Sequence, residues 1–151
     1  MNTTATTTKQ HIFFIALLIG YLLSADTLFA FDRQDTLRGS NGRGRAWWDV
    51  TYYDLTVEFD TAKRSIYGAN SITARITGTP GDSLQLDLQE PMLLDSVVLN
   101  GRKLAYSREG NVWWVKHPFS KMKPNATLEL TAFYHGSPRE AKNPPWDGGF
   151  I

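Results

Sequence analysis

From Tyr53 to Asp60 apolar and polar side chains alternate without a break: Tyr53, Leu55, Val57 and Phe59 hold one phase, Asp54, Thr56, Glu58 and Asp60 the other. Successive side chains of an extended chain point to opposite faces, so a period of two predicts a strand with one wet face. The polar run 60–64 then makes a turn, and Ile66, Ile72, Ala74 and Ile76 share one face of a second, antiparallel strand. Gly78, Pro80 and Gly81 mark a loop before Leu84, Leu86 and Leu88 alternate with Gln85, Asp87 and Gln89. Pro91 breaks that strand, and an apolar run resumes from Asp95 to Leu99. Asn100-Gly101, set between Val97-Val98-Leu99 and Leu104, is a hairpin signal because both residues tolerate positive φ.

The same logic continues to the end of the chain. Glu109-Gly110-Asn111 turns into Val112-Trp113-Trp114-Val115, Pro124 breaks again, and Leu128, Leu130, Ala132 and Tyr134 alternate with Glu129, Thr131 and His135. No stretch after residue 31 carries helical periodicity. Short strands at about ten-residue spacing imply an all-β fold, an antiparallel β-sandwich or saddle-shaped sheet.

The N-terminus follows another pattern. Lys9 precedes the apolar run Ile12 to Leu23, and Ser24, Ala25 and Ala30 follow, the order of a helical secretory signal peptide over residues 1–30. Twelve helical residues rise about 18 Å, short of the ~30 Å hydrocarbon core, so no stable membrane span is expected. Cleavage after Ala25 or after Ala30 leaves Leu23 or Leu28 three positions from the cut, where a small residue is preferred, and both sites stay open. Export places the protein outside the cytoplasm, secreted or periplasmic. Residues 31–46, rich in Gly and Arg, read as a flexible lead-in.

Composition narrows the chemistry. Sixteen Lys and Arg against fifteen Asp and Glu give a net charge of +1, so no long-range field recommends nucleic acid as a partner. The absence of cysteine removes disulfides, thiolate metal ligands and a cysteine nucleophile. Three histidines occur, and with His11 in the signal segment only His117 and His135 remain, neither with a partner one helical turn away as a hydrolytic zinc site commonly has. G-x-S-x-G is absent, as is any Gly-rich loop opening a helix. Asp54, Glu58, Asp60 and Asp87 occupy the polar phase of strands, where solvation accounts for them. Asn2 and Asn125 begin glycosylation sequons, the first within the signal segment.

The pairs Trp47-Trp48 and Trp113-Trp114 are the remaining features with binding potential. On a strand only one ring of each pair enters the core, so the other is either a stacking platform for sugars or is covered by a partner domain.

Two segments carry a resemblance. Arg45-Ala46-Trp47-Trp48-Asp49-Val50-Thr51-Tyr52-Tyr53-Asp54-Leu55 resembles the opening strand of zinc aminopeptidases of family M1. Phe133-Tyr134-His135-Gly136-Ser137-Pro138-Arg139-Glu140-Ala141, with Asn143-Pro144-Pro145-Trp146-Asp147-Gly148-Gly149-Phe150, resembles the end of the same family's N-terminal domain. The resemblance implies an M1-type N-terminal β domain over residues 47–151, incomplete at its C-terminal end, in which Pro144-Pro145 holds extended backbone and Trp146 and Phe150 are apolar anchors. It further implies a parent that removes N-terminal residues from peptides with a zinc ion held by H-E-x-x-H and a distant Glu, the motif Glu serving as general base.

None of those catalytic motifs occurs here, so no catalytic, cofactor-binding or metal residue transfers. No cofactor is expected in this chain, and zinc is expected in the full-length parent. The implied partners are a downstream catalytic domain of the same polypeptide and, for the whole protein, peptide substrates. The alternative function is a free-standing secreted β-sandwich module that binds glycan or peptide. A complete small peptidase would require zinc to co-purify with the chain.

Overall fold

A computed structural model describes residues 32–146. The chain divides into two units, Met1–Asp32 and Arg33–Ile151, and the described residues belong almost wholly to the second. The signal-peptide expectation, His11 and the anchor Phe150 lie outside the described residues.

Seven strands form one sheet: β1 (Trp48–Asp60), β2 (Ser65–Ile76), β3 (Ser83–Asp87), β4 (Leu93–Leu99), β5 (Arg102–Glu109), β6 (Val112–Lys116) and β7 (Thr127–Gly136). Their order is β1-β2-β7-β4-β5-β6-β3, every neighbouring pair antiparallel. The sheet curls into a half-barrel. A single curled antiparallel sheet agrees with the all-β, antiparallel expectation.

The turns are the ones the residues demand. Asn100 and Gly101 both take positive φ, 50° and 76°, closing the β4–β5 hairpin with Leu99 opposite Arg102. At the β1–β2 turn Asp60 accepts from the Lys63 backbone N–H at 3.0 Å and pairs with its Nζ at 2.9 Å. These contacts hold the Asp60 carboxyl below its usual range, chiefly through the side-chain hydrogen bond with Lys63.

The core lies inside the curl. Ile72, Ala74 and Ile76 of β2, Leu84 of β3, Val97 and Leu99 of β4, Trp113 and Val115 of β6 and Leu128 and Leu130 of β7 are buried together with Trp47 and Phe119, the latter in a 3-10 turn at Phe119–Lys121. The alternating residues of β2, β3 and β7 thus place their apolar phase inward, as period two requires.

Three features differ from the pattern reading. First, β1 carries a bulge: register with β2 shifts between Val50 and Tyr52, and Thr51 donates its hydroxyl to the Thr73 carbonyl at 3.1 Å. One extra residue switches the inward phase from Trp48 and Val50 to Tyr53, Leu55, Val57 and Phe59, so both sets face the inside of the curl. Second, Trp47 precedes β1 in a turn, so alternation does not govern it, and both rings of the Trp47-Trp48 pair contact the core, 6.4 Å apart.

Third, the lead-in is structured. It contains a helix, α1 (Arg33–Gly39), with no buried residue and therefore no apolar stripe for periodicity to reveal. Polar contacts hold it in place. Arg33 pairs with Glu109, the Asn111 backbone N–H donates to Gln34 Oε1 at 3.4 Å, Gln85 Nε2 donates to the Leu37 carbonyl at 3.0 Å, and Arg45 pairs with Asp87.

Candidate functional site

The lead-in decides the fate of the exposed-Trp expectation. Gly44 accepts a 3.0 Å backbone hydrogen bond from Gln85, and a Cβ at Gly44 would stand 2.6 Å from Trp114 Cζ3 and 2.7 Å from Gln85 Cβ. That approach is open only to glycine. Trp114 is thereby half-buried under its own chain, with Nε1 donating to Glu109 at 2.9 Å, and Gln85, which lies in the polar phase of β3, is only 3% exposed. Trp113 is in the core, its ring edge-on to Tyr106 and under the Arg108 guanidinium at 4.9 Å. Trp113 is closed off by the core, and the lead-in lies against Trp114, which is half-buried.

Glu109 joins both anchors. The Arg33 hydrogen bond first, and the Trp114 N–H second, hold its carboxyl below the usual range. A folded-state pKa below the unfolded one gives stability that is present above the ordinary Glu value of about 4.3 and is lost as pH falls through the folded value. Acidification through the lowered Glu109 range is expected to loosen Glu109 from Arg33 and Trp114, read as a shift of the Trp114 indole N–H resonance, and Glu109→Gln should remove that step. The groups are exposed, so added salt should weaken the effect.

Histidines and carboxylates do not assemble. His135 Nδ1 lies 2.5 Å from Asp95 on the outer face with its ring stacked on Tyr67, while His117 packs edge-on against Phe119. No group of three or more His, Asp or Glu able to hold a metal occurs among the described residues. The described residues do not fit a zinc site. Asp54 and Glu58 point outward on β1, Asp60 belongs to the turn, and Asp87 is engaged by Arg45 and Gln85.

What does assemble is a surface. Across the inner face Tyr53, Leu55, Val57 and Phe59 of β1 lie opposite Ile72, Asn70, Gly68 and Ile66 of β2, which in turn lie opposite Leu130, Ala132, Tyr134 and Gly136 of β7. Near Ile72 and Leu130 this face is filled by the core. Toward Phe59 it is open. Tyr53 is 56% exposed, Leu55 59% and Phe59 65%, although each sits in the apolar phase of its strand.

A groove of about 1000 Å³ runs over this region, with Tyr53, Leu55, Ile66, Leu94 and Tyr134 on its apolar side and Asn41, Arg45 and Asp87 among its polar residues. The Tyr134 ring lies across Gly68, where a Cβ would come within 2.4 Å of Cζ, and burial pushes its hydroxyl pKa up. Asn70 Oδ1 is buried in the floor without a hydrogen-bond partner. Past β7 the 2.8 Å bond from the Trp146 N–H to the Asn143 carbonyl closes a turn around a cis Pro144-Pro145 peptide, so this segment turns where extended backbone was expected. It leaves Trp146 89% exposed.

Sequence reasoning placed Tyr53, Leu55 and Phe59 in the core-facing phase and missed that nothing among the described residues covers them. Their burial depends on strands opposite, which period two cannot report.

No protein-family profile and no curated protein matches the chain. Solved structures do. A variant of the M1 zinc metallopeptidase from Deinococcus radiodurans, bound to a Tyr-Ser-Ala substrate, aligns at TM-score 0.54 and 24% identity, covering 67% of this chain and 23% of that one. The same organism's M1 zinc metallopeptidase without the substitution aligns at TM-score 0.54 and 23% identity over 64% and 22%. Native yeast LTA4 hydrolase aligns at TM-score 0.51 and 18% identity over 61% and 15%. The half-barrel therefore has the fold that these enzymes contain, and the chain spans less than a quarter of their length.

Proposed function

We propose that this chain is the non-catalytic N-terminal domain of an exported zinc aminopeptidase of family M1, and that its open inner face packs against the rest of that polypeptide. The observation that carries the reading is the row Tyr53, Leu55 and Phe59, inward in phase yet more than half exposed. A solvated strand face does not accumulate large apolar side chains at every second position, and such patches mark contact surfaces. The fold shared with M1 zinc metallopeptidases supports the choice of parent. The domain's role is scaffolding: it presents a rigid β surface that helps wall the peptide cleft, while zinc binding and peptide hydrolysis belong to the other domain. The free-standing glycan module is less well supported, because Trp113 lies in the core and Trp114 is half-buried against the lead-in.

The reading frame of the gene past codon 151 is expected to encode H-E-x-x-H within the next few hundred codons. A frame that closes without it overturns the proposal. Export is tested separately, by N-terminal sequencing of the protein recovered outside the cytoplasm, which should begin after Ala25 or Ala30.

A further inference from the structure

The sheet has two edges, and the chain treats them differently. At the β3 edge the lead-in lies alongside, with the Gln85 N–H bonded to the Gly44 carbonyl at 3.0 Å and Arg45 paired to Asp87. At the other edge β1 pairs with β2 along its whole length, from Trp48 opposite Ile76 to Asp60 opposite Ser65, and with no other strand among the described residues. Natural sheets blunt a bare edge with charged side chains, Lys above all, and with Pro, short strands or bulges, and on β1 the charges are carboxylates alone. β1 is thirteen residues long and contains no Lys, Arg or Pro, and its bulge sits at Thr51, which leaves Tyr52–Asp60 in regular register.

Charge selects the occupant. On the outer face of β1, Asp54 and Glu58 are exposed and make no ion pair among the described residues. A second copy paired antiparallel about a two-fold axis with its apolar phase matched would set Asp54 and Glu58 opposite residues drawn from Tyr52, Asp54, Thr56, Glu58 and Asp60. In registers that set Asp54 or Glu58 opposite Asp54, Glu58 or Asp60, carboxylates face carboxylates, which is unfavourable across strands, and the register that sets Glu58 opposite Tyr52 and Asp54 opposite Thr56 supplies no cation to either carboxylate. Matching the other phase would set carboxylates against Leu55 and Val57.

We infer that β1 accepts an extended peptide segment as an eighth strand, and that the segment carries basic residues four apart with apolar residues between them, in the order basic, apolar, polar, apolar, basic. Lys or Arg at the ends meet Glu58 and Asp54, the polar residue lies opposite Thr56, and the apolar pair continues the Leu55 and Val57 row into the groove. Backbone hydrogen bonds to the edge that no described strand occupies supply affinity, and alternate side chains supply selection. The inference concerns the strand edge and does not require a catalytic domain.

The test uses the full chain and a fluorescein-labelled probe, acetyl-Lys-Val-Thr-Val-Lys-Val-amide, followed by anisotropy. Binding is expected to weaken with salt and to fall about 10-fold in the Asp54→Lys, Glu58→Lys double variant, since two attractive cross-strand pairs become repulsive. A probe with Glu in place of Lys should show the reverse preference, binding the double variant and not the parent chain, and this gain of binding excludes misfolding as the cause. Probes N-methylated at alternate residues, one in each phase, should differ, the phase facing β1 failing to bind. Equal binding of both N-methylated probes, equal binding of the Lys and Glu probes, or concentration-dependent self-association abolished by the double variant would each overturn the inference.

Discussion

Truncation of Trp47 to alanine is expected to lower the stability of the chain by about 3–5 kcal/mol, measured by chemical denaturation. The ring is 2% exposed and lies 5.2 Å from that of Phe119, which is fully buried. The Trp47 carbonyl accepts from the backbone N–H groups of Thr77 at 2.9 Å and Gly78 at 3.1 Å, so the turn is fixed independently of the ring and cannot collapse to fill the space. A domain of this size typically holds only about 5–15 kcal/mol in total, so the variant sits near the edge of folding. Trp47→Phe separates packing from polarity. Trp47 Nε1 is buried without a partner, so phenylalanine gives up part of the volume but also removes an unsatisfied donor. Its cost should be about 1–2 kcal/mol. Equal, small costs for the two substitutions would show that Trp47 does not anchor the core.

The contrast between what the pattern shows and what it hides follows from where the deciding contacts lie. In β2, β3 and β7 the inward phase can be read from Ile72-Ala74-Ile76, Leu84-Leu86 and Leu128-Leu130, because each buried set belongs to one strand and repeats every second residue. The Asn100-Gly101 hairpin is legible because positive φ at two successive residues restricts composition. The bulge at Thr51 is less visible: an inserted residue leaves two short alternating runs of opposite phase, Trp48-Val50 and Tyr53 onward, that read as one strand.

Contacts between distant segments leave even less trace. Gln85 looks like a solvated residue of β3 until α1 and Gly44 lie against it, and those are more than forty positions away. Trp114 is likewise an exposed ring by strand phase and a half-buried one in fact. The short helix α1 is held by ion pairs and amide contacts with no buried side chain, so neither the 3.6-residue period nor composition marks it. The candidate surface has the same origin. Its residues are legible as inward, and their exposure is legible only once the curl of the sheet is known.

Exchange of Leu55 and Phe59 together for aspartate separates a surface from a core by its two opposite outcomes. The side chains are 59% and 65% exposed, so in the chain alone the double variant should change stability by only about 0.5 kcal/mol per site, as surface substitutions do. Binding of the dye ANS, which reports open apolar surface, should fall. In the proposed longer polypeptide with a catalytic domain, the same variant is expected to remove the gain from burying those exposed fractions. At about 1.5–3 kcal/mol for a full leucine or phenylalanine, that gain is roughly 2–4 kcal/mol for the pair. Docking should therefore weaken roughly 30- to 700-fold, seen as faster limited proteolysis between the two domains. Asparagine at both positions should fall between the parent and the aspartate variant, because it removes the apolar area without placing a charge in the contact. A variant that unfolds the isolated chain would place Leu55 and Phe59 in the core. One that leaves the longer polypeptide unchanged would move the contact to another part of the molecule, with the 89% exposed Trp146 as the next residue to test.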